Sequence, residues 1–424
     1  MTALHDEQHA LALDAADPLS TFRGDFLVPT EHGRDQVYLC GNSLGLQPRG
    51  ARAAVLAELD DWADFAVEAH FKGRRPWWRY HEFVRDQLAR VAGALPSEVV
   101  AMNSLTANLH LMMASFYRPT AQRPLVLIEK HAFPSDRHAV ESQIRFHGFD
   151  PAEALVEIEG DEPGGAISAA ALERAIAEHA PRLALVLMPG VQYRTGQVFD
   201  MPEIVRLGHA AGAVVGFDLA HAIGNLHLTL HDDGGDFAVW CSYKYLNAGP
   251  GAVAGCFVHE RHAHSGLPRL AGWWGHDPES RFRMGPEFVP APGADGWQLS
   301  NPPILALAPL LASLEVFDRA GMAALRAKSE RLTGYLEALV RARLDALLDV
   351  LTPSAPARRG CQLSLRVRAG REQGRALFEH LQRQGIVGDW REPDVLRFSP
   401  TPLYNRYMDV WRLVRAIEEW ASTT

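Results

Sequence analysis

The sequence has little of what builds disulfide frameworks, zinc sites or membrane spans. Cysteine occupies 4 of the 424 positions, and no two cysteines form a Cys-x-x-Cys pair. Neither a disulfide-stapled domain nor a metal site is therefore expected. No apolar run approaches the roughly 20 residues that span a bilayer. The first twenty residues carry early acids and no basic segment ahead of an apolar one, so a secretory signal is not expected and a cytoplasmic location is the default prediction.

Long basic runs are missing as well, and the formal net charge is −9 at pH 7. Proteins that bind nucleic acid or anionic membrane surfaces concentrate Lys and Arg, so neither partner is predicted. The hydrophobic content of 47% and the charged content of 22% are typical of globular proteins. A chain of this length exceeds one ordinary core, which favours two domains or one large α/β domain with an appendage.

Short apolar runs of strand length recur from residue 99 onward, separated by helical or loop segments. Several of them are apolar throughout, without polar alternation, which is typical of strands covered on both faces. The pattern predicts an α/β fold with a mostly parallel sheet between helices. The six runs are 99–102, 125–129, 183–188, 213–217, 237–241 and 253–258.

The pattern changes in the last third of the chain. Residues 305–343 are predicted to be mostly helical, and strand, helix, strand and helix follow in "CQLSLRV", "GRALFEHLQRQGI", "DVLRFSP" and "MDVWRLVRAIEEWAS". These segments predict a small C-terminal α+β domain at residues 326–424 after a large domain at 51–325. Residues 1–50 are predicted to be mostly irregular and to contribute to the small domain or to the functional site.

Lys244 follows the apolar run 237–241, where a buried strand is predicted to end. Ligands of open parallel sheets bind beyond the carboxyl ends of the strands. A lysine in that position can be a solvated rim residue, bind a phosphate as a point charge, or form a Schiff base with an aldehyde.

Asp218 directly follows the run 213–217, at a position where an unpaired carboxylate would be costly. A protonated pyridine nitrogen is a natural partner, as in pyridoxal phosphate (PLP) sites. The alternative is a helix N-cap for "AHAIGN". With Lys244 after the next predicted strand, the cofactor interpretation is favoured.

Residues near other strand ends can complete such a site. His221 lies one helical turn after Asp218, so both can face one ligand, although it can equally be a satisfied histidine at a helix start. Leu105 and Thr106 open a helix whose N-terminus suits an anion or simple capping. Phe133 can stack on a planar ring or belong to the core, and Asp136 caps the next helix or contacts the cofactor.

An ordered set of motifs resembles the kynureninase family from about Cys40 to the C-terminus. The family hydrolyses L-kynurenine to anthranilate and L-alanine with PLP, on the aspartate-aminotransferase scaffold (fold type I). The resemblance implies this fold, cofactor and tryptophan-pathway activity, and it leaves 3-hydroxykynurenine open as a substrate. The motifs are "AMNSLTANLHLMM", "HAFPSDRHAVESQ", "GFDLAHAIGN", "WCSYKYLNAGPG", "LAGWWGH", "LSNPPI" and "SPTPLYN".

The resemblance implies a role for each matched residue. Lys244 is the Schiff-base lysine and the base, and Asp218 is the pyridinium partner. Tyr243 supplies a phosphate hydroxyl and is the candidate for a further proton transfer. The other implied cofactor contacts are Leu105, Thr106, Phe133, Asp136, His221, Trp274 and Asn301.

Substrate contacts are implied in the same way. Arg397 would hold the α-carboxylate, and Ser43 and His70 would line the aromatic end. Ser300 and Asn301 resemble positions associated with tolerance of a ring hydroxyl. In this family Trp274 and Asn301 would come near the cofactor across a subunit interface, so a homodimer with shared active sites is implied.

Two other functions remain open from the sequence. A class V aminotransferase or cysteine desulfurase would share the lysine and the Asp-x-x-His pattern, and a desulfurase would need a reactive cysteine, for which Cys361 is the candidate. The second alternative is a binding protein without catalytic activity on the same scaffold.

Overall fold

A seven-stranded sheet forms the centre of the computed structural model, which describes residues 6–423. Neighbouring strands from Phe237–Trp240 to the far edge at Leu155–Ile158 run parallel, whereas Gly255–Val258 is antiparallel to both of its neighbours. The predicted mostly parallel sheet is therefore confirmed. In spatial order the strands are Val99–Ala101, Gly255–Val258, Phe237–Trp240, Val214–Asp218, Leu183–Pro189, Leu125–Glu129 and Leu155–Ile158.

Each of the six predicted apolar runs contains a strand of this sheet. The runs are apolar because the side chains on both faces of these strands are buried. In Leu183–Pro189, Val186 and Met188 belong to one hydrophobic core while Leu185 and Leu187 belong to another. Successive side chains of a strand point to opposite faces, so a strand between two cores is apolar throughout. Leu155–Ile158 was not predicted; it lies at the sheet edge, and only its last residue is buried.

Helices cover the sheet, and two long ones lead into the C-terminal part of the chain. Residues predicted to be helical at 305–343 form Ile304–Ala320 and Met322–Arg343. The α-helices are Glu7–Ala15, Arg49–Phe65, Arg85–Ala92, Leu105–Phe116, Pro134–Phe146, Pro151–Ala154, Ala169–His179, Met201–Ala210, Leu230–Asp233, Ile304–Ala320, Met322–Arg343, Arg371–Arg383 and Tyr407–Thr423.

A second, antiparallel sheet lies in the C-terminal part, as the strand and helix pattern predicted. Its strands, in spatial order, are Leu348–Val350, Leu363–Val367, Val395–Phe398 and Asp389–Arg391. A third core forms over it and includes Leu336, Leu365 and Ile417, together with Val37 and Leu39 from the N-terminal segment. The domain boundaries after residues 50 and 325 stay predictions.

The N-terminal segment is more regular than predicted. Glu7–Ala15 is a helix whose N-cap Asp6 accepts a hydrogen bond from the His9 amide at 2.8 Å. Asp14 in turn accepts from the amides of Tyr407 and Met408, at 2.7 and 3.1 Å, and so caps the last helix of the chain. The prediction of mostly irregular structure was wrong here because this stability comes from a contact distant in sequence.

Short strand pairs complete the segment. Val37–Tyr38 is parallel to Ile386–Val387, Phe26–Leu27 pairs with Gln47–Pro48, and Thr30–Glu31 pairs with Arg34–Asp35. Across residues 6–423, none of the helices has both the length and the apolar character that a bilayer crossing requires.

Asp236 joins several elements at the amino ends of the parallel strands. Its carboxylate accepts from the Val215 amide at 2.8 Å, from His209 Nε2 at 2.9 Å and from His262 Nε2 at 2.8 Å. Burial favours the neutral acid, but these hydrogen bonds outweigh it and hold the pKa of Asp236 well below its usual value. The ionised form is therefore the one that stabilises the fold.

We expect Asp236→Asn to lower the free energy of unfolding at pH 7 by about 2–3 kcal/mol, because the buried Val215 amide and two histidines lose a charged acceptor. Since the folded-state pKa is depressed, the wild-type advantage is complete above the unfolded pKa of about 4 and declines as pH falls below it. Unfolding midpoints from pH 7 to pH 3 measure this, with the exposed Asp232→Asn as control. An equal loss at every pH would contradict it.

Candidate active site

A cleft with about 530 Å³ of empty space lies at the carboxyl ends of the central strands. The terminal strand residues Glu129, Pro189 and Asp218 form part of its wall. Eight of the predicted site residues line it together, although they come from four separate segments of the chain. They are Leu105, Thr106, Phe133, Asp136, Asp218, His221, Tyr243 and Lys244.

Lys244 occupies a tight loop after the strand Phe237–Trp240. The loop is closed by hydrogen bonds from the Asn247 amide to the Lys244 carbonyl and from the Ala248 amide to the Ser242 carbonyl, at 2.9 and 3.0 Å. Lys244 Nζ lies 3.1 Å from His221 Nε2 and 5.8 Å from the centre of the Phe133 ring. The amine is thus held inside the cleft beside a ring and an imidazole.

The His221 imidazole is the hydrogen-bond acceptor for this amine. Burial, followed by the positive charge of Lys244, holds the pKa of His221 well below its usual value. The ring is therefore neutral, and Nε2 can accept from the Lys244 ammonium while Nδ1 carries the proton. Nδ1 is buried without a partner among the described residues.

Two carboxyl groups lie side by side opposite the amine. Asp218 ends the strand Val214–Asp218 and accepts from the Ala220 amide at 2.6 Å, so it also caps the turn that follows. Burial, and then the negative charge of Asp218, raises the pKa of Asp136 well above its usual value. This shift favours the protonated form of Asp136, and its buried Oδ1 has no hydrogen-bond partner within residues 6–423.

Two helices begin at the same end of the cleft. Leu105 is the first residue of Leu105–Phe116, and its N-cap Ser104 makes no side-chain capping bond. Ser135 lies in the first turn of Pro134–Phe146, and its hydroxyl is 2.8 Å from that of Thr106. First-turn amides, two hydroxyls and the positive ends of two helix dipoles make this end suitable for a phosphate.

The residues present fit PLP group by group. An amine can meet the aldehyde, the Asp218 carboxylate can meet the pyridine nitrogen, and the helix N-termini can meet the phosphate. Phe133 remains 40% exposed and so offers a face to the ring. The unpartnered buried atoms His221 Nδ1 and Asp136 Oδ1 are satisfied only if another polar group enters, because buried polar atoms seldom remain unpaired.

Arg397 lies outside the cleft wall but close enough to influence it. It is fully buried on the strand Val395–Phe398, and its Nη1 donates to the Tyr193 carbonyl at 2.7 Å. Its charge is among those that lower the pKa of His221. Ser43 is half-buried in a turn that reaches the lysine loop, where the Gly45 amide donates to the Tyr243 carbonyl at 2.8 Å.

The four remaining predicted residues do not line the cleft of a single chain. His70 is half-buried, with its ring 5.5 Å from that of Trp77. Ser300 and Asn301 are exposed. Trp274 is buried with the Arg281 guanidinium 4.4 Å from its ring, and its Nε1 has no partner in the described part of the chain. Their assigned roles stay predictions, and those of Trp274 and Asn301 depend on the predicted homodimer.

Residue-level prediction missed three polar side chains in the cleft wall: Glu129, Ser135 and Tyr193. Each lies at the end of a predicted apolar run or within six residues after it, where ligands of parallel sheets bind. Tyr193 meets the edge of Phe133 at 5.3 Å and carries the carbonyl that Arg397 contacts. The available signal was the segment "PGVQYRTG", which begins at the last residue of the strand Leu183–Pro189. Its place after a strand did not show which of its residues enters the cleft.

Cys361 lacks the properties of a reactive thiol. It is buried, its amide donates to Asn225 Oδ1 at 2.9 Å, and burial raises the pKa of its thiol to about 12. A nucleophilic cysteine needs an accessible thiolate. This residue therefore gives no support to the desulfurase alternative.

Sequence comparisons point to one family. Residues 325–417 match the family described as "Kynureninase C-terminal domain", and residues 80–238 match the DegT/DnrJ/EryC1/StrS aminotransferase family. A kynureninase of Xanthomonas oryzae pv. oryzae (strain PXO99A) is 67% identical over 422 residues, covering 100% of both chains. A kynureninase of Stenotrophomonas maltophilia (strain K279a) is 67% identical over 99% of this chain and 100% of its own.

Solved structures share the fold at low sequence identity. A cysteine desulfurase from Thermococcus onnurineus NA1 has a TM-score of 0.75 and 16% identity, covering 92% of this chain and 95% of its own. The protein C-DES, described with glycine covalently linked to its PLP cofactor, has a TM-score of 0.72 and 18% identity, covering 90% and 96%. At these identities the likeness establishes the fold alone, which is that of fold type I PLP enzymes.

Proposed function

The chain belongs to the kynureninase family of PLP-dependent hydrolases, and from that membership we propose that it hydrolyses L-kynurenine to anthranilate and L-alanine. The reaction breaks the Cβ–Cγ bond of the side chain and belongs to tryptophan catabolism. The observation that carries the proposal is the gathering of Lys244 and seven other predicted residues in one cleft. Cleavage of 3-hydroxykynurenine and a cytoplasmic location are also part of the proposal.

The cofactor would be held by residues with separate tasks. Lys244 would bind the aldehyde carbon through Nζ, Asp218 would pair with the pyridine nitrogen, and Phe133 would lie against the ring. Asp136 and His221 would supply further polar contacts. The phosphate would meet the helix N-termini through Leu105 and Thr106 and the hydroxyl of Tyr243.

When bound, PLP withdraws electrons from the substrate's Cα and so weakens the bonds around it. Lys244 Nζ removes the proton from Cα and returns it at the end of the reaction. The neutral His221 Nε2 keeps this amine oriented in the cleft. Water adds its oxygen to Cγ, the Cβ–Cγ bond breaks, and anthranilate leaves. Burial raises the pKa of Tyr243, so its phenol keeps its proton at neutral pH and can donate it to the Cβ of the alanine fragment that stays in the site.

The substrate would lie between the cleft and residues outside it. Arg397 would bind the α-carboxylate, for which a planar guanidinium suits bidentate pairing. Ser43, His70, Ser300 and Asn301 would surround the aromatic ring.

A homodimer would bring Trp274 and Asn301 to the active site of the other subunit. An exposed aromatic cluster supports such an interface: Phe282 lies 5.6 Å from the Trp273 ring and 6.4 Å from the Phe71 ring. These three side chains are 49%, 42% and 61% exposed. Contiguous exposed apolar surface typically marks an interaction site.

The direct test is steady-state kinetics of the PLP-loaded protein on L-kynurenine and 3-hydroxykynurenine. Anthranilate is followed by its fluorescence and L-alanine by chromatography. We expect equimolar release of the two products from L-kynurenine. No release of anthranilate or 3-hydroxyanthranilate from either substrate would refute the proposal.

Replacement of Cys361 separates the proposed function from the cysteine desulfurase alternative, which would need this thiol. Because this buried thiol has no role in the proposed reaction, Cys361→Ala should leave kcat for L-kynurenine within about twofold of wild type. The same preparations are assayed for sulfide release from L-cysteine. Loss of kynurenine cleavage at unchanged thermal stability would argue for a chemical role of the thiol.

A further inference from the structure

The guanidinium of Arg397 is held from two sides in a fully buried position. Its Nη1 donates to the Tyr193 carbonyl from the large-sheet side, and its Nη2 pairs with Asp389 on the neighbouring strand of the small sheet. Asp389 and Arg397 are directly opposite each other in the strand register. Nε is buried without a partner among the described residues. Two contacts thus fix the plane of a group that still has free donors.

Asp389 is shared with a second arginine. Arg391 Nη2 lies 3.0 Å from the same Asp389 oxygen that accepts from Arg397. The three side chains carry a formal charge of +1, whereas Asp389 and Arg397 alone would be neutral. The charges of both arginines contribute to lowering the pKa of His221, so the trio acts electrostatically on the cleft.

We propose that Asp389, held by Arg391, is a positioning residue that orients Arg397 to receive the substrate's α-carboxylate. This inference rests on the proposed function, in which Arg397 binds that carboxylate. Asp389 fixes the guanidinium through one donor edge and stabilises its buried charge before substrate arrives. Arg391 supplies the extra positive charge that lets the trio attract an anion and become neutral when the carboxylate binds.

Preorganisation explains why such an arrangement favours binding. A long arginine side chain without a fixed partner loses rotamer freedom when it binds substrate, and that loss weakens affinity. A side chain already locked by Asp389 and by the Tyr193 carbonyl has lost that freedom on folding. The effect acts on binding of the carboxylate, so it should appear in KM more than in kcat.

The same sheet offers a matched control. Asp349 and Arg366 also stand opposite each other on neighbouring strands, with Oδ2 and Nη2 3.0 Å apart. Their side chains are 29% and 42% exposed, and neither lines the cleft. Asp349→Asn therefore removes an equivalent cross-strand ion pair without touching the Arg397 trio.

The experiment compares wild type, Asp389→Asn, Arg391→Gln and Asp349→Asn as PLP-loaded proteins. For Asp389→Asn we expect KM for L-kynurenine to rise roughly tenfold or more with kcat changed less than threefold. The Kd for the product L-alanine, measured from cofactor absorbance, should rise in parallel. Arg391→Gln should raise both values to a smaller extent, and Asp349→Asn should leave both unchanged.

A substrate analogue separates orientation from general stability. The preference for L-kynurenine over its α-carboxamide should shrink in Asp389→Asn and persist in Asp349→Asn. If Asp389→Asn fails to fold, the effect of Arg391→Gln on the same preference decides the question. Unchanged KM and unchanged carboxylate preference in a folded variant would overturn the inference, whereas an inactive wild type would overturn the proposed function instead.

Discussion

Lys244→Ala is expected to lower kcat for L-kynurenine by about 10³-fold or more, because the chain loses both its covalent anchor for PLP and its base at Cα. Among residues 6–423, Lys244 is the one lysine that lines the cleft. The variant should still fold, since Nζ is near His221 and two aromatic rings and makes no salt bridge within residues 6–423. Single-turnover and steady-state anthranilate fluorescence measure the loss.

Lys130→Ala is the matched control for this result. Lys130 also follows a strand of the large sheet, but it pairs with Glu159 at the surface and is 40% exposed. Its replacement should leave kcat within about twofold, as expected for an exposed ion pair. Turnover by Lys244→Ala near the wild-type rate would reject the role given to that amine.

Asp218→Asn is expected to lower kcat by about 10²-fold and to weaken retention of PLP, because a neutral amide no longer favours the protonated pyridine nitrogen. The substitution keeps the size of the side chain and one oxygen that can accept from the Ala220 amide. Cofactor content after dialysis, measured by absorbance, gives a readout independent of turnover.

The alternative view of Asp218 as only a capping residue is tested by Asp200→Asn. Asp200 is the N-cap of Met201–Ala210 and accepts from the Glu203 amide at 3.2 Å. Both substitutions weaken a cap, so both should lower stability by about 1 kcal/mol or less. Only Asp218→Asn should reduce kcat and PLP retention, and equal effects of the two variants would favour the capping interpretation.

The sequence predicted those elements that leave a local pattern, such as strands buried on both faces. A strand between two cores must be apolar at every position, and for this reason runs such as 125–129 could be recognised. Leu155–Ile158 escaped because an edge strand lacks that requirement. Glu7–Ala15 escaped because its packing partners lie at the other end of the chain, where Asp14 caps the helix of Tyr407.

The same distinction applies to the site. Lys244, Asp218 and six further predicted residues lie in one cleft, because they follow strands whose carboxyl ends meet at the same edge of the sheet. It could not place Asp389, whose importance comes from register in another sheet. Trp274 and Asn301 do not reach the cleft within one chain, so their assigned roles still depend on the proposed dimer.

The central claim is that Lys244 Nζ forms the covalent link to PLP. Reduction of the loaded protein with borohydride, followed by proteolysis and mass spectrometry, tests it most directly. We predict that the absorbance of the bound cofactor is bleached and that the phosphopyridoxyl group is found on the peptide containing Lys244. A label on another lysine, or none in a protein that cleaves L-kynurenine, would contradict the account.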